Sequence, residues 1–180
     1  MIKKLTILLG SPRKRSNSSF LAKKLGEIVH KKGIEVETFL LHEMDIRMCI
    51  GCEVCHGEKN TGCILRDQMQ EIYPSLQSAD AILLAFPIYY YSINGQMKVV
   101  IERFYPFGTK GLSGKKLGVV TAHAETGAAH AIRIIEDICD YCDMSYVGKV
   151  EAEMQDEGEA EKQWMKIKKD VEELADEFLK

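Results

Sequence analysis

The chain has 180 residues, 46% hydrophobic and 28% charged, with a net charge of −3. That length and composition suit one globular domain, taken as residues 1–180, and exclude a disordered chain. With no basic tract beyond Arg13-Lys14-Arg15 and no long apolar run, the sequence argues against nucleic acid and against a membrane span.

After Met1-Ile2-Lys3-Lys4, the apolar run Leu5-Thr6-Ile7-Leu8-Leu9 is too short for a secretory signal, so a cytoplasmic location is expected. Six cysteines in such a chain are expected as thiols, metal ligands or redox groups. The run itself reads as a first strand over 4–9. It ends in Gly10-Ser11-Pro12-Arg13-Lys14-Arg15-Ser16-Asn17-Ser18-Ser19, just before a helix over 18–32 that carries Leu21, Leu25, Ile28 and Val29 on one face. Gly33 ends the helix, and a second strand follows over 34–41. A cysteine-rich loop spans about 42–63, then a helix 66–77.

Residues 79–86 are almost continuously apolar, as in a strand covered on both faces. After Pro87 come a turn containing Asn94-Gly95, a helix over 97–104, a fourth strand over 115–121 and a helix over 127–142. A short fifth strand is expected at 146–150. The acidic stretch 151–161 reads as a solvated connection into a last helix, 159–179. That helix carries Trp164, Ile167, Val171, Leu174 and Phe178 as a core stripe. Five strand–helix units with right-handed crossovers predict an α/β, three-layer fold: a five-stranded parallel sheet, order 2-1-3-4-5, with helices on both faces. In that order ligands sit beyond the carboxyl ends of strands one and three.

Three loops would meet there. The first combines a helix start, with its free backbone N–H groups and positive dipole end, with serine hydroxyls and arginines, which is an anion site. It has neither the Gly-x-x-x-x-Gly-Lys-Ser/Thr spacing of a nucleotide P-loop nor Gly-x-Gly-x-x-Gly. The second, 87–95, contains Tyr89, Tyr90 and Tyr91, whose rings suit a flat aromatic ligand. The third is 121–127. A phosphate at one end and a planar ring at the other describe FMN. A phospho-acceptor signalling domain on a similar sheet would need carboxylates where this chain has Gly10 and Pro87, and is set aside.

Cys49, Cys52, Cys55 and Cys63 form C-x2-C-x2-C-x7-C. Closely spaced thiolates can wrap a 4Fe–4S cluster; bare thiols or a disulfide, and zinc, are the other readings. Cys139 and Cys142, on an apolar helix, read as core residues. His30, His42, His56 and His130 read as surface residues.

Gly10-Ser11-Pro12-Arg13-x-x-Ser16-Asn17-Ser18 and Pro87-Ile88-Tyr89-Tyr90-Tyr91-Ser92-Ile93-Asn94-Gly95-Gln96-Met97-Lys98, continuing through Ile101-Glu102-Arg103, resemble the NAD(P)H-dependent FMN reductases and related flavodoxin-like proteins. The resemblance implies FMN bound without a covalent link. Its phosphate would lie on Ser11, Arg13, Ser16, Asn17 and Ser18, and its ring against Pro87, Ile88, Tyr89 and Tyr90. The third loop matches in position alone, which brings in Thr121, His123 and Gly127.

The cysteine motif resembles that of the iron–sulfur flavoproteins, where it binds a 4Fe–4S cluster between strand two and the next helix. The implied activity is an FMN-dependent oxidoreductase in which NAD(P)H, as co-substrate, gives hydride to the flavin. The electrons then pass to a small-molecule acceptor such as flavin, quinone, an azo compound or oxygen. The alternative is an electron carrier fed by a ferredoxin-like partner. A homodimer or homotetramer is implied, and no side-chain catalyst is demanded.

Overall fold

A computed structural model describes residues 2–57 and 62–180, so part of the expected 42–63 loop, residues 58–61, lies outside the described residues. Five strands pair in parallel: β1 (Lys4–Leu9), β2 (Glu35–Leu40), β3 (Ala81–Tyr89), β5 (Lys116–His123) and β6 (Ser145–Glu153). Their order is β2-β1-β3-β5-β6. With the two-residue β4 (Ser92–Ile93) set aside, this is the expected order 2-1-3-4-5. β1 and the first six residues of β3 are almost wholly buried because helices cover both faces.

On one face α1 (Asn17–Lys31) and α6 (Trp164–Leu179) bury Leu21, Leu25, Val171 and Phe178 against Leu5, Ile7 and Leu83. On the other, α2 (Met69–Ser78), α3 (Gly95–Glu102) and α4 (Ala128–Tyr141) pack Ile72, Met97 and Ile135 against Leu8, Leu84 and Val119. Trp164 packs at the edge of the first core, its ring T-shaped to Phe20 at 6.0 Å.

The acidic stretch is the main departure. β6 runs to Glu153, with Val150, Ala152 and Met154 buried and the glutamates between them exposed, so 151–153 are edge strand rather than connection. Its period-two alternation lets acidic side chains face solvent while the backbone completes the sheet. The last helix is also two: α5 (Glu159–Lys162) and then α6. A register shift beside Gly118 bends β6 against β5, and a side chain at Gly118 would place its Cβ 2.6 Å from Phe178 Cζ.

All six cysteines are free thiols, and His30, His42, His56 and His130 are exposed. Cys139 is buried with Ile135 and Met144, and burial pushes its thiol pKa up to about 12, which leaves no thiolate at neutral pH. Cys139→Ala is therefore expected to cost about 1 kcal/mol of stability through one small cavity. Flavin and iron content should stay at the wild-type level, and loss of either cofactor would place Cys139 in a site.

Candidate functional site

β1 ends at the centre of the sheet, where Gly10 N–H donates to Ala85 O of β3 at 2.8 Å. The chain then turns into α1 through Ser16, an extended N-cap whose Oγ accepts from Ser19 N–H at 3.2 Å. Ser11, Ser16 and Ser18 are buried, and the Ser16 and Ser18 hydroxyls lie 3.2 Å apart. With no acidic residue in its first turn, α1 presents its free N–H groups and positive dipole end without a competing carboxylate. This cradle fits a phosphate.

Asn17 does something else. Its amide donates to Asp156 O at 2.9 Å and accepts from Ala160 N–H at 3.0 Å, so both ends of the side chain hold the segment that follows β6. That strap reaches back over the loop: Gly158 N–H donates to Arg15 O at 2.8 Å, and Glu157 and Glu161 pair with Arg13 and Arg15 at 3.4 Å each. These pairs are half-exposed and weak, so little energy holds Arg13 to Glu157. Arg13→Ala is expected to weaken FMN binding by about 1.5–3 kcal/mol, the worth of charge-assisted hydrogen bonds. Flavin titration of the apoprotein measures it, and unchanged affinity would remove Arg13 from the site.

β3 continues past Pro87 and folds back as a hairpin, pairing Ile88 with Ile93 and Tyr89 with Ser92. Tyr90 and Tyr91 form its two-residue turn, with φ of +50° and +65°. Two left-handed residues are what a type I′ hairpin requires, and tyrosine adopts that conformation at some cost. The turn projects both rings outward: Tyr90 is fully exposed, and only Tyr89 of the three faces the cleft. The Arg13 guanidinium carbon lies 5.9 Å from the Tyr89 ring centroid. Asn94, buried after the hairpin, donates to Gly10 O at 2.7 Å and so locks the first two loops together.

In the third loop, the Thr121 hydroxyl donates to Phe86 O at 2.9 Å inside the sheet. Gly127, with φ of +102°, sits under the hairpin, where a Cβ would stand 2.9 Å from Tyr91 Cα. Of Thr121, His123 and Gly127, His123 alone lines the cleft, flanked there by Ala122 and Ala124. Its Nε2 is 3.2 Å from Glu151 Oε1, and its buried Nδ1 has no partner among the described residues.

The three loops thus border one open cleft at the carboxyl end of β1 and β3. The first-loop residues Ser11, Arg13, Ser16, Asn17 and Ser18 line one side of it. Pro87, Ile88, Tyr89 and His123 line the other. Of the expected residues, Tyr90, Thr121 and Gly127 do not line it. Met154, Gln155 and Glu157 of the strap do, and sequence reasoning missed them. The alternation of Val150, Ala152 and Met154 was the available signal, because it carries β6 up to the same edge of the sheet. Buried hydroxyls at a helix start, an aromatic wall and an unpartnered imidazole nitrogen together fit a phosphorylated ring compound such as FMN.

The cysteines lie elsewhere. Cys49, Cys52, Cys55 and Cys63 all line a second, mostly apolar pocket, beside Leu65 and Arg103. Cys55 is buried and its thiol pKa is raised, chiefly by that burial and then by the other three sulfurs. Among the described residues no three His, Cys, Asp or Glu side chains converge as a single bound ion requires. A cluster spreads its thiolates around a larger inorganic core, and four thiols on one pocket suit that donor chemistry. Among the described residues no helix is long and apolar enough to cross a membrane.

A parallel sheet in the order 2-1-3-4-5, with a cleft at the switch point between its first and third strands, defines a flavodoxin-like α/β protein. The sequence profile of the NADPH-dependent FMN reductase family matches residues 3–157, and the chain belongs to that family. An iron–sulfur flavoprotein of Archaeoglobus fulgidus is 35% identical over 121 residues, which is 67% of this chain and 54% of that protein. Iron–sulfur flavoprotein MJ1083 of Methanocaldococcus jannaschii is 32% identical over 97 residues, 54% of this chain and 49% of that one. The chain spans about half the length of the curated relatives it matches.

Among solved structures, RosB with a bound 8-demethyl-8-formylriboflavin-5'-phosphate superposes with a TM-score of 0.72 at 19% identity, over 96% of this chain and 76% of RosB. The NAD(P)H:quinone oxidoreductase of Methanothermobacter marburgensis gives 0.65 at 18% identity, over 95% of both chains. At these identities the likeness is one of fold.

Proposed function

We propose that this chain is an FMN-dependent oxidoreductase whose four clustered cysteines hold a 4Fe–4S cluster. The observation that carries the flavin half is the convergence of the serine-rich loop, the Tyr89 hairpin and the His123 loop on one cleft at the switch point. Bound FMN supplies the redox chemistry, accepting hydride from NAD(P)H and releasing electrons to an acceptor. The residues bind and orient it. Ser11, Ser16, Ser18, Arg13 and the N-terminus of α1 hold the phosphate, while Pro87, Ile88 and Tyr89 form the wall for the ring. Glu151 accepts from His123 Nε2, which leaves the buried Nδ1 without a partner among the described residues.

The cysteine pocket favours a second electron route within the same reading. Cys49, Cys52, Cys55 and Cys63 are a complete thiolate set, and the A. fulgidus and M. jannaschii relatives bear the name iron–sulfur flavoprotein. A hydride acceptor alone has no need of a one-electron centre. A ferredoxin-like donor feeding the cluster is therefore the partner class that the thiols suit, with a small molecule as final acceptor.

The test is anaerobic purification, an absorbance spectrum, and iron, zinc, sulfide and flavin counted per chain. Flavin bands with about four irons and four sulfides are expected. Flavin without metal would leave a plain NAD(P)H-dependent reductase. No flavin, even after FMN is added, would overturn the assignment.

A further inference from the structure

Arg103 is an arginine with no solvent access, and every bond it makes goes to one loop and its anchor. It stands at the C-terminal end of α3, and its side chain and that of Asp67 are each 1% exposed. Its Nη1 donates to Asp67 Oδ2 at 2.7 Å and to Arg47 O at 2.7 Å; its Nη2 donates to Asp67 Oδ1 at 3.1 Å, and its Nε to the Tyr73 hydroxyl at 3.3 Å. Asp67 in turn accepts from the backbone N–H of Arg47 and of Met69, each at 3.1 Å. Arg47 lies two residues before Cys49, and Asp67 four residues after Cys63. One planar fork and one carboxylate thus join the two ends of the cysteine loop.

The turn Tyr105–Phe107, just beyond, grips the middle of the same loop. The Tyr105 hydroxyl donates to Glu53 Oε2 at 2.9 Å, and His56 Nε2 is 2.8 Å from Tyr105 O. A carbonyl only accepts, so His56 carries its proton on Nε2. The His56 and Tyr105 ring centroids are 4.3 Å apart, with the ring planes tilted by 55°. Glu53, held there in the left-handed conformation with φ of +58°, sits between Cys52 and Cys55.

We infer that Arg103 and Tyr105 are positioning residues that form a template for the cysteine loop, holding it in its cluster-binding shape before any cluster arrives. This rests on the cluster reading above. The clamp acts by geometry: the Arg103 charge is already neutralised by Asp67, and only a planar fork reaches both carboxylate oxygens and Arg47 O together. Closing the loop in advance removes most of the ordering entropy that cluster binding would otherwise cost. The template also has a fixed place in the molecule. α3 runs from Asn94, bonded to the phosphate-loop carbonyl of Gly10, to Arg103, so a single eight-residue helix connects the two candidate sites.

The test compares wild type, Asp67→Asn, Arg103→Lys and Tyr105→Phe, by amide hydrogen exchange on metal-free protein and by iron release to a chelator after reconstitution. In Asp67→Asn, exchange over 44–57 and 62–70 should rise about tenfold or more, and iron should leave faster by a similar factor. The flavin content should match wild type. Arg103→Lys should behave like Asp67→Asn. Tyr105→Phe should loosen only 52–57. Wild-type exchange in Asp67→Asn, or full rescue by lysine, would overturn the clamp. Faster exchange in Asp67→Asn in a protein that never takes up iron would support the clamp and overturn the cluster reading.

Discussion

Cys52→Ser is expected to strip the protein of its iron and leave its FMN in place. Iron–sulfur cores are held by soft thiolates, and a serine hydroxyl stays protonated at neutral pH and offers a hard oxygen instead. Cys52 is exposed at the mouth of the cysteine pocket, so the substitution disturbs no packing and any loss reports ligation alone. The flavin cleft shares no lining residue with that pocket, and Asn17 ties the phosphate loop to Asp156 and Ala160. Iron and sulfide should fall from about four per chain to near none while the flavin bands persist. Iron retained at the wild-type level would refute the ligand assignment; loss of FMN along with iron would show the two sites to be one cooperative unit.

The second large effect is on stability. Arg103→Met removes the guanidinium that bonds both oxygens of the 1%-exposed Asp67 carboxylate and leaves it the longer pair to the half-exposed Arg47, whose Nε is 3.7 Å away. Breaking a buried pair from one side costs about 3–5 kcal/mol, because the remaining charge keeps its desolvation penalty. A lower denaturation midpoint of the flavin-loaded protein at neutral pH measures this. The pH dependence carries its own sign. Burial alone would push the Asp67 carboxyl up, but the Arg103 guanidinium and the backbone N–H groups of Arg47 and Met69 hold it below its ordinary value of 3.8.

A carboxyl depressed in the folded state contributes stability that is present above its unfolded pKa and lost as pH falls through the folded one. Wild type should therefore keep this contribution down to about pH 4 and lose it only in stronger acid. In Arg103→Met the same carboxyl stays buried without the guanidinium that bonded both its oxygens, so its pKa rises and protonation relieves the penalty. The gap between the two proteins should narrow as the pH is lowered towards 4, and a gap that widened would contradict the pairing.

Much of the architecture was legible because it follows from local rules. The nearly continuous apolar runs 5–9 and 79–86 read as strands covered on both faces, and the helical spacing of Leu21 with Leu25 and of Val171 with Phe178 reads as helix faces against them. Alternation of strands with helices then leaves few sheet orders. The acidic residues of β6 misled because charge was weighed above the period-two burial of Val150, Ala152 and Met154. An edge strand tolerates glutamates on its open face.

The site was half legible for a similar reason. Ser11, Ser16 and Ser18 belong to a helix start, whose chemistry is local, so their place in the cradle could be read from order alone. Three tyrosines in a row could not be told apart, since which ring faces the cleft depends on where the hairpin turns. The structure turns it at Tyr90-Tyr91, sending Tyr90 to solvent and keeping Tyr89 inside. The use of Asn17 to hold the strap, and of Arg13 beside Glu157, joins residues more than a hundred positions apart.

By itself, then, the order of residues determined the strands, the helices, the sheet order, the phosphate cradle and the run of thiols, all set by neighbours within a few positions. The tertiary structure alone decided that Met154, Gln155 and Glu157 close the cleft, that His123 rather than Thr121 or Gly127 enters it, and that Arg103 reaches across to Arg47 and Asp67. Those contacts arise from the crossing of distant segments over one sheet. Burial there makes a single fork or carboxylate worth far more than its sequence neighbourhood can reveal.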